Sequence, residues 1–502
     1  MGFLSLMPIV LAVALALWSK RALLSLLIGI FAAALILKEW NVWTAILYVI
    51  DPLLLDAAAS KDNMKVILFS MLVSGTVELM RLGGGTRALV TAFARVATTR
   101  PKALVGTWLA GLTVFFDDYA NCLIVGSSMQ PVTDKSKISR EKLAYLVDST
   151  AAPVATLALV STWIGYEVSL MEKALKAAGS KVNAYGFFLE GLPYRFYPIL
   201  ALVFGFVIAS SGRDFGPMLK AETKALNAPS KEIEHSDETK NIWTAILPII
   251  LLIGVTGFDL YAQGIEQASQ SARLFEIIGA ADGYDAMLKG SIAAFLCACL
   301  LCRISGLSLD NIGQGIQIGF SRLFEALAVL ICAWALGDAI SELKTANYLV
   351  TLLDGTLSVA FLPSLVFLLA AAISFATGTS FGTMGTLMPI TIPLAIQMGA
   401  PHELIVASAA AVLSGATWGD HCSPISDTTI LSSAGCGCDH IAHVKTQLPY
   451  AITAGIISLL VCSIPIGFGI DWTIVLGLGA MCCIGVVFLL GKHPDVVSSE
   501  SL

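Results

Sequence analysis

The chain of 502 residues is 56% apolar and 13% charged, against about 45–50% and about 25% in soluble domains, which excludes an ordinary cytosolic enzyme. Its formal net charge is −6, so no basic surplus exists to neutralise a phosphate backbone, and no nucleic-acid partner is expected. The apolar residues come in blocks long enough for a hydrocarbon core of about 30 Å. One polytopic, all-α membrane domain over residues 1–502 is the expectation.

The first block, 3–18, lacks a basic stretch before it and is followed by Lys20 and Arg21, so it reads as a retained span and not as a cleaved signal peptide. Further spans are expected at 22–37, 64–80, 193–210, 242–258, 286–302, 321–338, 447–467 and 471–489. Two more crossings, 143–170 and 403–440, contain polar interruptions. The count is about 11 transmembrane helices. Nearly all of the 11 cysteines lie in or beside apolar blocks, and they show no disulfide framework.

Between Lys102 and Lys135 an apolar stretch is broken at Asp117 to Asn121, with basic residues at both ends. Basic flanks stay cytoplasmic, so this segment enters and leaves on one side, as a re-entrant hairpin. A second hairpin is expected over 358–399, broken by the Gly- and Thr-rich run at 377–386. With the N-terminus outside, about two thirds of the Lys and Arg fall on the cytoplasmic side, including the loop from Arg213 to Lys240. The acidic loop 259–285, with Asp259, Glu266, Glu276, Asp282 and Asp285 against Arg273, falls outside, and the C-terminus is cytoplasmic.

After the first span the crossings divide into two sets of five, each with its hairpin between the second and third. Five is odd, so the halves, 20–258 and 286–490, are expected to be inverted repeats. Weak pairings support this: DSTAAP at 148–153 against DHCSP at 420–424, and VSGTVELM at 73–80 against ALGDAISEL at 335–343. Inverted repeats with broken helices build the substrate sites of many secondary transporters. The chain shows no nucleotide-binding signature, so transport would be gradient-driven, without a cofactor.

Carboxylates are expensive in a membrane and demand a function or a partner. They cluster at the breaks. The first hairpin carries FFDDYAN, with Asp117, Asp118 and Asn121; the crossing after it supplies Asp148, Ser149 and Thr150 before Pro153, which frees upstream carbonyls. The second hairpin offers neutral oxygens in TGTSFGTMGT, including Thr379, Ser380 and Thr383. The crossing after that reads WGDHCSPISDTT, with Asp420, Ser423, Asp427 and Thr428. Such oxygens bind hard cations, and the same carboxylates bind protons, so cation and proton compete for one site. These thirteen residues are the candidate cation-, proton- or substrate-binding set, with no metal beyond transported sodium.

Duller roles compete. Asp117 or Asp118 can cap a half-helix, Asp148 can serve the break, and His421 is a proton relay or a helix-end hydrogen bonder. Cys436, Cys438, His440 and His443 lack a standard zinc spacing. Glu78 is expected to pair with Arg81 and Glu325 with Arg322, leaving Glu167 and Asp338 at the outer interface.

The strings FFDDYANCLIVG at 115–126, SREKLAYLVDSTAAPVA at 139–155, GATWGDHCSPISDTT at 415–429 and CDHIAHVKTQLPYA at 438–451 closely resemble the NhaC-type sodium/proton antiporter family, over about residues 64–467. The resemblance implies an inverted-repeat transporter of the ion-transporter superfamily, with paired hairpins, often an elevator-like motion and often a homodimer. It implies sodium ions and protons as partners in a cell membrane. Relatives in that family also exchange organic acids such as malate or lactate, or carry amino acids. Between their basic flanks neither hairpin offers an obvious Arg or Lys, which favours a simple cation. A channel would also use a polar re-entrant loop, but a filter needs a ring of repeated loops. A hydrolase is weaker still, because no nucleophile and base have a defining spacing near 420–427.

Overall fold

The computed structural model describes residues 2–19, 21–96, 99–227, 241–267, 277–278, 281–353 and 358–495. Among them the regular elements are all helices, apart from one bridge between Asp214 and Lys492. Seven helices are long and apolar enough to cross a membrane, and up to nine if two bent pairs each count as one span. They include Trp243–Glu266, Gly283–Ile304, Phe324–Glu342, His440–Gly467 and Trp472–Leu490, where long uninterrupted apolar runs made spans legible. The expected spans 3–18 and 22–37 are the shorter apolar helices Gly2–Ala16 and Leu23–Leu37.

One apolar segment escapes the sequence reading. Val42–Ala59 is helical on both sides of Asp51, whose φ of −134° and ψ of 116° break it before Pro52. Proline bars its predecessor from helical geometry, and that polar, bent centre hides the run from a search for continuous spans. Tyr48 of this segment donates to Glu342 at 2.6 Å.

Polar contacts gather the helix ends into two groups. At one end Thr345 donates to Ser5 O at 2.9 Å, Lys65 meets Asp282 at 2.9 Å and Lys173 meets Asp338 at 2.8 Å. At the other, Lys142 pairs with Asp214, which is itself bridged to Lys492. Lys142 and Lys173 stand in the first and last helices of one broken segment, Arg140–Asp148 and Ile164–Ala177. Arg273 and Glu276 of the acidic loop, and Lys231 and Lys240 of the basic one, lie outside the described residues.

Both hairpins form. Arg100–Thr113 and Asp118–Lys135 pack together, and Arg100 donates to Lys137 O at 2.7 Å, closing their open ends side by side. At the tip Asn121 Nδ2 donates to Gly111 O at 2.8 Å and Val114 O at 3.3 Å, satisfying carbonyls left bare where the first arm stops. The second hairpin joins Leu362–Thr377 to Ser380–Gln397 through Gly378. Its φ is +68°, and a Cβ there would sit 2.5 Å from Ile425 O; conformation and space both demand glycine.

The two crossings that follow the hairpins are broken as well. Arg140–Asp148 gives way to the short helix Ala152–Ala155 and a non-helical stretch before Ile164–Ala177. His402–Cys422 breaks before Asp427–Cys436. Each break meets a hairpin: Thr150 O accepts from Asn121 Nδ2, and Ser423 Oγ donates to Phe375 O, so protein groups pair with backbone there, the condition for irregular structure at that depth.

Candidate functional site

The breaks surround a cavity of about 320 Å³. Asp117 is the N-cap of the hairpin's second arm: its Oδ1 accepts from Ala120 N at 2.7 Å. Capping thus engages one carboxylate and places the next, Asp118, in the first turn. Thr379 is the N-cap of the second hairpin's return arm, accepting from Gly382 N at 3.4 Å. Ser426 caps Asp427–Cys436 and puts Asp427 at the first helical position. Asp117, Asp118, Thr379 and Asp427 all line the cavity, at helix N-termini whose dipoles favour negative charge. Tyr119 donates to Asp427 Oδ2 at 3.0 Å, and Thr162, also lining the cavity, is tied to the tip by its N–H to Phe116 O at 3.0 Å.

A cation of the protein stands at the same cavity. Arg322 lines it and reaches Glu78 Oε2 at 2.7 Å. Glu78, fully buried, also pairs with Arg81, as expected. Arg322 therefore pairs with Glu78 and not with Glu325, which lines the cavity. The reason is a helix junction at Leu323 between Leu309–Arg322 and Phe324–Glu342, so the two residues share no helix face. Ser74 donates to Gly319 O at 2.7 Å and draws Leu309–Arg322 against Lys61–Leu82. Glu167 is another correction: it lies buried and paired with Arg195 at 2.7 Å, not at an interface. Arg195 enters from a neighbouring helix junction and also holds Thr156 Oγ1 at 2.9 Å, a partner that local sequence does not reveal.

Behind the cavity is a closed polar cluster. Asp148, with no exposed surface, accepts at Oδ2 from Gln447 Nε2 at 2.6 Å and Thr429 Oγ1 at 3.2 Å. His443 Nε2 lies 3.4 Å from Oδ2, and His421 Nε2 3.9 Å from Oδ1. His421 Nδ1 is 2.8 Å from Tyr197 Oη. Asp420 accepts from Thr428 Oγ1 at 3.1 Å, and Asn121 Nδ2 reaches Thr150 O at 2.9 Å.

The thirteen candidates thus separate. Asp117, Asp118, Thr379 and Asp427 face the cavity. Asp148, Asp420, Thr428 and Asn121 belong to the closed region behind it. The hydroxyls of Ser149, Thr150, Ser380, Thr383 and Ser423 donate to the carbonyls of Leu146, Leu146, Ala416, Thr379 and Phe375 and so staple the breaks. Sequence reasoning missed Tyr119, Thr162 and Arg322 at the cavity, and Thr429, His443 and Gln447 around Asp148. A signal existed for the last two: on a helix, residues four apart share a face.

The chain matches the family described as the Na+/H+ antiporter family over residues 154–464. It is 34% identical over 459 residues to an uncharacterized protein of Haemophilus influenzae, covering 89% of this chain and 88% of the other. It is 34% identical over 168 residues to the malate-2H(+)/Na(+)-lactate antiporter of Bacillus subtilis, 32% of this chain and 34% of that one. In three dimensions it is similar to the Alcanivorax borkumensis YdaH transporter, with a TM-score of 0.59 and 15% identity, covering 85% and 90% of the two chains. That likeness concerns the fold alone.

Proposed function

Because the chain belongs to the Na+/H+ antiporter family, we propose that it exchanges sodium ions for protons across a cell membrane, as a secondary transporter and not an enzyme. The observation that carries the reading is the meeting of Asp117 and Asp118 with Asp427 in one cavity. Carboxylates crowded into a site of low dielectric cannot all stay ionised without a cation. Sodium, bound by carboxylate and hydroxyl oxygens, or a proton can supply that charge. Each displaces the other, and an element that exposes the cavity alternately to the two sides converts the competition into countertransport. Asp117, Asp118 and Asp427 are the cation's carboxylates in this reading. The halves 20–258 and 286–490 act as inverted repeats in a lipid bilayer, with the N-terminus outside, the C-terminus cytoplasmic and a homodimer as the working unit.

The test is reconstitution of the purified protein in liposomes with a trapped pH dye. Sodium added outside should alkalinise the interior, and potassium should not. Silence with sodium overturns the reading.

Arg322 at the cavity supports a second reading, exchange of small organic acids, because a carboxylate substrate wants a guanidinium donor. The partial likeness to a malate/lactate antiporter points the same way. In the same vesicles, a proton flux that appears only when malate or lactate is supplied would select it.

A further inference from the structure

The cluster around Asp148 takes no part in the cavity, yet its ionisable groups are almost wholly buried. Asp148, His421 and His443 are each 4% exposed or less. Among the described residues, the groups within ion-pair reach of Asp148 that can carry a positive charge are two imidazoles, one facing each carboxylate oxygen. Among the described residues, further titratable groups near it include Cys122 of the first hairpin, Tyr197, Asp420 and Cys422 of neighbouring helices, and Cys436 beyond the second break. All of these are neutral or negative. With both imidazoles neutral and the carboxylate ionised, the cluster would hold an uncompensated charge in the interior, a costly state. It becomes neutral on taking one proton. Four buried polar atoms here have no hydrogen-bond partner among the described residues: Asp148 Oδ1, His421 Nε2, His443 Nδ1 and Gln447 Oε1. Two of them, His421 Nε2 and His443 Nδ1, are ring nitrogens that can carry a proton.

We propose that Asp148 and His443 form a proton-binding site of their own, apart from the cavity and coupled to it through the first turn of Asp427–Cys436. That turn presents Asp427 to the cavity and Thr429 to Asp148 Oδ2. Movement of Asp427 as a cation enters therefore changes the donors around Asp148. The proton rests on His443 Nε2 or Asp148 Oδ2 and leaves to water when the break opens. His421, held by Tyr197, and Gln447, donating to both Asp148 and His421 O, are positioning residues. The coupling rests on the exchange reading above; the existence of the proton site does not.

The experiment is infrared difference spectroscopy of the reconstituted full chain, stepped in pH without sodium, for wild type, His443→Gln and the near-isosteric Asp148→Asn. At least one carboxyl or imidazole band that titrates in wild type should be missing from both variants, while the bands of the cavity carboxylates remain. The pH profile of sodium-driven exchange in His443→Gln should shift by about one unit or more, with half-saturating sodium at alkaline pH changed by less than about twofold. Wild-type difference spectra and pH profiles in both variants would overturn the proposal. If wild type shows no sodium-driven flux, the exchange reading fails, while the sodium-free titration still decides the proton site.

Discussion

Tyr119 and Asp427, 308 positions apart, are joined by a hydrogen bond of 3.0 Å that ties the tip of the first hairpin to the helix beyond the second break. Hydrogen bonds to charged groups contribute about 1.5–3 kcal/mol. Tyr119→Phe keeps the ring and removes the donor, so the sodium needed for half-maximal exchange should rise about tenfold with membrane yield unchanged. Vesicle flux against sodium concentration measures it, and an unaltered half-saturation would show that Asp427 needs no such tether.

Asp118→Asn and Asp427→Asn keep shape while abolishing titration. Each should impair exchange by about 100-fold or more and leave insertion and thermal stability near wild type. Wild-type flux in both folded variants would move the cation away from the cavity.

Arg322→Gln removes a positive charge from the cavity wall. Glu78 keeps Arg81 as partner, so folding is retained. Bound sodium and bound protons both gain from the loss of a repelling cation. Calorimetry should show tighter sodium binding, and any flux dependent on malate or lactate should disappear. Weaker sodium binding would indicate that Arg322 mainly orders the carboxylates.

Gly319 lies against the neighbouring helix so closely that a Cβ would stand 2.8 Å from Ser74 O and from Gly75 Cα. These are backbone atoms and cannot swing aside. Gly319→Ala should cost about 1–3 kcal/mol, read as a lower melting temperature, and should displace Arg322 at the end of the same helix.

Arg195→Met leaves the Glu167 carboxylate buried without its cation. Breaking such a pair costs about 3–5 kcal/mol. Thermal denaturation should show a large loss, and the double variant with Glu167→Leu should recover much of it, because the paired charges bring little net stability over apolar residues. A double variant as unstable as the single would assign the loss to the Thr156 contacts of Arg195.

The sequence alone determined the membrane class, the two polar hairpins and the two broken crossings. Composition and run length follow directly from the hydrocarbon solvent, and FFDDYAN and WGDHCSPISDTT place charge where a span should be apolar. The Glu78–Arg81 pair was legible because its partners are three residues apart on one helix. What only the tertiary structure decided is which polar groups meet. Asp117, Asp118 and Asp427 reach the cavity while Asp148 and Asp420 turn into the closed cluster, although all five sit at breaks of similar composition. Arg322 reaches Glu78 on a neighbouring helix, and Arg195 finds Glu167. Those partners come from chain segments brought together by packing, and hydropathy reports how deep a residue lies without reporting which neighbour it faces.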